Sequence, residues 1–359
     1  MKNFFLFVLA LYIVQIGFAQ SKINTLNNYL DSLTTADNFS GYVLIAEKGK
    51  AIFQKGYGYA DRKDSFPNTG NSQFCLSSAS KLFTGTAIVK LIQEKKIHAT
   101  DTIGTYITGL AYGNKITIHH LLTHSSGLGD LYEDPNFDWG NIKNCTDVVQ
   151  YICNQNVQFT PGDTVHYSTS GMILLGAVIE KVSGISYQEY LKNTFFIPLG
   201  MKHTTFVNYK YVQYETFRPS SYAIGYIKDS TGNIIIRRRH WDMYNDVPLS
   251  AGGIWSCAND LLLFDKALHN HKILNKEYLE LMLESKVQSE WKDIDFGYVF
   301  MNINQNKDTH AVGHPGTAGG HHTSYFRYDK EDTTIIILTN YGFVNMFQIS
   351  NMVEKIILN

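Results

Sequence analysis

Only 4 of the 359 residues are cysteine, too few to staple a chain of this length, so a disulfide scaffold is excluded. Cys145 and Cys153 fall in a segment that reads as one helix, which would hold them too far apart to bridge. Cys75 and Cys257 read as small buried hydrophobes. An excess of one charge is also missing: 31 basic residues face 32 acidic ones, a formal net charge of −1, which leaves no electrostatic basis for binding nucleic acid or an anionic membrane. The one basic run, Arg237-Arg238-Arg239, continues the strand-like Ile234-Ile235-Ile236. Alternation would send its side chains to both faces, so it reads as solvated or ion-paired. No low-complexity segment, internal repeat or long linker interrupts the chain.

What is present is apolar and aromatic. Hydrophobic residues make up 44% of the chain, with 23 Tyr and 21 Phe, which describes a globular protein with ample burial capacity. The length exceeds the usual single core and predicts one two-lobed body or two domains. Met1 to Ala19 read as a secretory signal: Lys2 starts it, Phe4 to Ile16 form an apolar core, and Gly17-Phe18-Ala19 is a small-residue end. The apolar stretch is short for a spanning helix and no second one follows, so the mature chain is expected to be exported, periplasmic or extracellular, with cleavage near Ala19. No cysteine follows to carry a lipid.

Ile23, Leu26, Leu30 and Leu33 recur at helical spacing, and two strands, Gly41 to Ala46 and Ala51 to Tyr57, follow around Glu47-Lys48-Gly49-Lys50. Helical patterns cover Leu82–Glu94, Ile118–Thr123, Val148–Asn154, Gly171–Val182 and Tyr187–Phe195. A hairpin is predicted from Tyr222–Ile227 and Ile234–Arg239, then helices at Asp260–Leu268 and Tyr278–Leu283. Strands return at Phe296–Met301, His310–Gly313, Thr323–Tyr328 and Thr334–Thr339 before a last helix, Val344–Ile357. The predicted architecture is α+β: an antiparallel sheet built from the N- and C-terminal segments 22–66 and 250–359, flanked by helices. A mainly helical lobe with a hairpin, 67–249, is inserted in it, and the cleft lies between the two.

Ser78-Ala79-Ser80-Lys81 places a hydroxyl and an amine three residues apart at the mouth of an apolar helical run. On a helix these share one face, so the amine reaches the hydroxyl without long-range positioning. A free serine is a weak nucleophile, and a lysine of ordinary pKa near ~10.4 is protonated at neutral pH; burial could convert it to a base. A helix start would add a favourable dipole and a backbone N–H for an oxyanion. By composition, about one chance Ser-x-x-Lys is expected in such a chain, and Ser289-Glu290-Trp291-Lys292 is one, set before a polar turn instead of an apolar helix.

With Tyr167-Ser168-Thr169 and His314-Pro315-Gly316-Thr317, the first tetrad resembles the penicillin-recognising serine hydrolases, in the branch of class C β-lactamases, D-alanyl-D-alanine carboxypeptidases and related esterases. The likeness runs from about Phe39 to Asn340. It includes Phe39-Ser40-Gly41, Gly56-Tyr57-Gly58-Tyr59-Ala60-Asp61, Thr117-Ile118-His119-His120-Leu121-Leu122-Thr123-His124-Ser125-Ser126-Gly127-Leu128, Pro161-Gly162, Pro198-Leu199-Gly200-Met201 and Ala251-Gly252-Gly253. The resemblance implies a β-lactamase/transpeptidase-like fold and an acyl-enzyme on Ser78, with Lys81 as base or proton shuttle and Tyr167 exchanging protons with water or leaving group. It leaves open which of Lys81 and Tyr167 is the base. It also implies an oxyanion hole from the backbone N–H groups of Ser78 and Thr317, with Gly316 letting the strand approach substrate.

Two departures bear on substrate. The third motif usually opens with Lys, a cation for a substrate carboxylate, where this chain has the partly charged His314. The second usually ends in Asn, where Thr169 offers a shorter hydroxyl. Thr169, His314 and Gly316 are therefore the expected substrate contacts, and efficient β-lactam hydrolysis is not expected. His120 and His124 have the i, i+4 spacing of a zinc helix, but Leu121 stands where a metalloprotease needs Glu, and the resemblance implies that these histidines brace the helical lobe. The expectation is an exported serine hydrolase for D-amino-acid-containing peptides or small esters, needing no cofactor or metal. Its substrate would be a small molecule or peptide, the peptidoglycan stem peptide among the candidates. The alternative is a catalytically silent module that binds cell-wall peptide.

Overall fold

The computed structural model describes residues 20–138, 142, 144–206, 221–236, 250–306, 309–329 and 332–358. The leader segment Met1 to Ala19 and the arginines 237–239 lie outside them. The first described element is helix α1, residues 20–35. Eight strands form one sheet: β1 Gly41–Glu47, β2 Lys50–Tyr57, β3 Val287–Gln288, β4 Ile294–Phe296, β5 Met301–Asn306, β6 Thr309–Ala318, β7 His321–Tyr328 and β8 Thr333–Thr339. The spatial order is β3-β4-β5-β6-β7-β8-β1-β2. Each neighbouring pair is antiparallel, and β1 joins the two ends of the chain by pairing with both β2 and β8, Gly41 opposite Tyr57 and Thr339.

Strand periodicity explains why both faces are covered. Tyr42, Leu44, Ile336 and Leu338 face one buried cluster, while Val43, Ile45, Ile335 and Ile337 face another. The second face is closed by Leu26 and Leu30 of α1 and by Ile349, Val353 and Ile357 of α9, Met346–Leu358. The first receives α7, Ala258–His269, and behind it the helices α2 Lys81–Gln93, α3 Ile118–Leu122, α4 Cys145–Cys153, α5 Thr169–Ser183, α6 Tyr187–Leu191 and α8 Lys276–Leu283. Cys145 and Cys153 open and close one helix, Cys75 and Cys257 are buried, and none of the four is joined in a disulfide.

One expected strand is corrected. Phe296 ends β4 and Met301 starts β5, and Gly297–Phe300 between them is a turn, with Val299 in the left-handed region at φ 71°. Its apolar run reads as a strand because Tyr298, Val299 and Phe300 are buried, but they are buried as a packed turn against the helices. Of the expected hairpin, the described residues pair Tyr226–Lys228 with Ile234–Ile236, and its expected end at 237–239 lies outside them. Among the described residues no helix is long and apolar enough to cross a membrane.

Candidate active site

Ser78 sits on a single 3-10 turn, Ser77–Ser80, immediately before α2. The expectation that it opens the α-helix is corrected by this one turn. Side chains three apart eclipse in a 3-10 turn, which still directs Lys81 at Ser78. The turn is fixed from outside: Leu76 N–H donates to Ile254 O at 2.9 Å, and Ile254 N–H donates to Ser80 Oγ at 3.2 Å. Ser77, just before the candidate nucleophile, is held at φ 52°, a left-handed conformation that costs any residue with a side chain.

Lys81 is a buried amine beside the candidate nucleophile. Its side chain is 1% exposed in an apolar helix, yet it lies 3.1 Å from Ser78 Oγ and donates to the Ala251 carbonyl at 2.9 Å. Burial pushes the amine down to about 7, against the opposing pull of the Asp130 carboxylate. Near neutrality a large share of Lys81 is therefore an uncharged amine with a lone pair.

Tyr167 precedes the cap of α5: Ser168 Oγ accepts from Gly171 N–H at 3.1 Å, and Gly184 ends the helix at φ 75°. The Tyr167 hydroxyl bonds the Ser78 side chain, and Lys81 Nζ lies 5.0 Å from its ring centre. The residue keeps some exposed surface, but its surroundings bury the phenol enough to push its pKa well above the ordinary range. Tyr167 is thus a proton holder, and Lys81 the group able to take a proton.

His314 comes from β6 and reaches the same point, with Nε2 3.4 Å from the Tyr167 hydroxyl. Its Nδ1–H donates to the Pro315 carbonyl, which fixes the tautomer and leaves Nε2 as acceptor. The expectation of a partly charged His314 is corrected: burial first, then the Lys81 charge, lower it to about 3. Thr169 is also corrected as an open substrate contact. It is 1% exposed at the first position of α5, and its N–H donates to Asp130 Oδ2 at 3.0 Å.

Gly316 acquires a different reason from the one expected. A Cβ there would lie 2.0 Å from Leu76 O and 3.1 Å from Ala79 N, so the space is filled by the Ser78 turn and not left for substrate. Glycine lets β6 lie directly on that turn, which carries the exposed Thr317 next to it. His120 completes a capping box with Thr117 on α3, and His124 Nδ1 accepts from Ser168 N–H at 3.2 Å, so both brace the helical lobe.

Sequence reasoning missed several neighbours of Tyr167. Trp291 packs on it at 5.6 Å, and Glu290 accepts from the Tyr167 N–H at 3.3 Å and sits 3.2 Å from His166 Nδ1. Both belong to the chance Ser-x-x-Lys tetrad, which carries no pattern that announces a contact 123 residues away. The Ala251 carbonyl was equally invisible, since any residue supplies one. A groove of about 770 Å³ around Lys192, Phe196 and Phe206 holds none of these groups.

The sequence pattern of the family described as Beta-lactamase matches residues 26–351. Penicillin-binding protein 4* of Bacillus subtilis (strain 168) is 30% identical over 330 residues, covering 89% of this chain and 72% of that protein. Teichoic acid D-alanine hydrolase of Staphylococcus aureus is 27% identical over 271 residues, covering 76% of this chain and 64% of that protein. The solved structure of a penicillin binding protein from Bacillus halodurans superposes with a TM-score of 0.79 at 26% identity, covering 91% of this chain and 98% of that one. The match spans nearly the whole described chain and every element that carries the site, and the chain belongs to the beta-lactamase family.

Proposed function

We propose that this chain is an exported serine hydrolase that forms an acyl-enzyme on Ser78 and acts on D-amino-acid esters, amides or peptides. The observation that carries the reading is a buried amine, lowered to about 7, at 3.1 Å from a partly exposed serine hydroxyl. Neutral Lys81 takes the proton of Ser78 as Oγ attacks the carbonyl carbon, and the backbone N–H groups of Ser78 and Thr317 receive the developing oxyanion. Tyr167, kept protonated by its surroundings, gives its proton to the leaving group and recovers one from the Lys81 ammonium. Water then enters by the reverse proton path and releases the acid.

A neutral His314 favours substrates that do not anchor a free carboxylate at that point. A small ester or amide fits better than a β-lactam, and the D-alanine of a teichoic acid, which the name of the Staphylococcus aureus relative gives as its substrate, is one candidate. The N-terminal segment supports export, with periplasmic or extracellular action. Intact mass after incubation with a fluorophosphonate tests the reading: one adduct on the wild type and none on Ser78→Ala is expected. A folded wild type that takes no adduct, and turns over no D-alanyl ester, would make the chain a binding module instead.

A further inference from the structure

His124 carries two features that stability alone does not select. Its backbone is left-handed at φ 56°, and its side chain is 1% exposed with Nε2 lacking any hydrogen-bond partner. A strained backbone and an unpaired buried donor each cost stability, and such costs gather where a function over-determines the geometry.

All three chemical faces of this residue meet the segment that carries Tyr167. Its carbonyl accepts from His166 N–H at 2.9 Å, and its Nδ1 accepts from Ser168 N–H at 3.2 Å. Its ring lies over the Tyr167 ring at 4.6 Å between centres, tilted by 35°, while the Phe296 ring packs edge-on against it at 4.9 Å. The residues before and after Tyr167, and Tyr167 itself, are thus held by one side chain and its own carbonyl. The bond from Ser168 requires a lone pair on Nδ1, so the proton resides on Nε2.

We infer that His124 is the positioning residue for Tyr167, holding the phenol against Ser78 through the Nδ1 acceptor and the stacked ring. This rests on the acyl-transfer role proposed for Tyr167. Burial first, then the neighbouring Lys81, holds the imidazole well below its ordinary range, so the acceptor persists at working pH. Lost positioning should lower turnover and leave ground-state binding alone, because substrate does not touch His124.

Three variants separate the parts. His124→Asn keeps an acceptor near the Nδ1 position and tolerates the left-handed backbone. His124→Phe keeps the ring and removes the acceptor; His124→Gly relieves the backbone and removes both. With a D-alanyl ester, kcat is expected to fall about 100-fold in His124→Phe and His124→Gly and about 5-fold in His124→Asn, with KM within about 2-fold of wild type throughout. Should the Phe variant not fold, the Gly and Asn pair carries the comparison. Equal kcat in the Asn and Gly variants, or a change carried by KM, would overturn the inference. Wild type that takes no fluorophosphonate adduct would instead sink the acyl-enzyme reading, so the two failures are distinguishable.

Discussion

Two Ser-x-x-Lys tetrads in this chain contain the same chemical groups in opposite surroundings. Lys81 is 1% exposed and its amine is lowered to about 7, whereas the Lys292 side chain is 92% exposed on a polar turn. Ser78 faces Lys81 and Tyr167, while Ser289 Oγ is occupied by Trp291, accepting from its N–H at 3.0 Å. The spacing is the same in both places, but only the first amine is buried and lowered to about 7. The second tetrad still serves the first, since Glu290 and Trp291 support Tyr167.

The largest expected effect separates the two serines. Ser78→Ala should reduce turnover of an activated ester by about 10⁴-fold or more, given the losses typical when a nucleophile is removed, while Ser289→Ala should stay within about 3-fold. Comparable losses in both would break the contrast. A smaller effect tests the amine. With a neutral ester, kcat/KM should fall about tenfold for each pH unit below about 7, because protonated Lys81 cannot accept the Ser78 proton. A profile flat between pH 5 and 8 would remove Lys81 as base.

The smallest effect is thermodynamic. A lysine whose folded pKa lies below its unfolded value binds fewer protons when folded, so stability rises with pH between about 7 and 10.5 and the penalty is fully present below about 7. Lowering the pH from 9 to 6 should therefore cost wild type roughly 2–3 kcal/mol that Lys81→Met does not lose. Lys292→Met should follow wild type. Denaturant melts of the three proteins at both pH values make the comparison, and parallel pH responses of wild type and Lys81→Met would refute it.

Much of the fold was legible because its signals are local. Short apolar runs of strand length in Gly41–Glu47 and Thr333–Thr339, and apolar runs of helix length in Lys81–Gln93 and Thr169–Ser183, are such signals, and each is buried almost throughout. The turn at Gly297–Phe300 was not legible, since periodicity cannot tell a short buried strand from a buried turn. At the site, the motifs identify Ser78, Lys81, Tyr167 and His314, which the fold brings together. The charge of His314, the burial of Thr169 and the filled space at Gly316 depend on neighbours remote in sequence, and no single motif records them.

The place of β1 between β2 and β8 has a consequence for synthesis. Val43 pairs with Ile337, so a strand made early waits nearly three hundred residues for its second neighbour. Until β8 and β7 are laid beside it, β6 has no bed on which to meet the Ser78 turn. A nascent or truncated chain therefore holds the serine and the lysine without the strand that completes their surroundings, and hydrolytic power arrives only when the last part of the sheet closes.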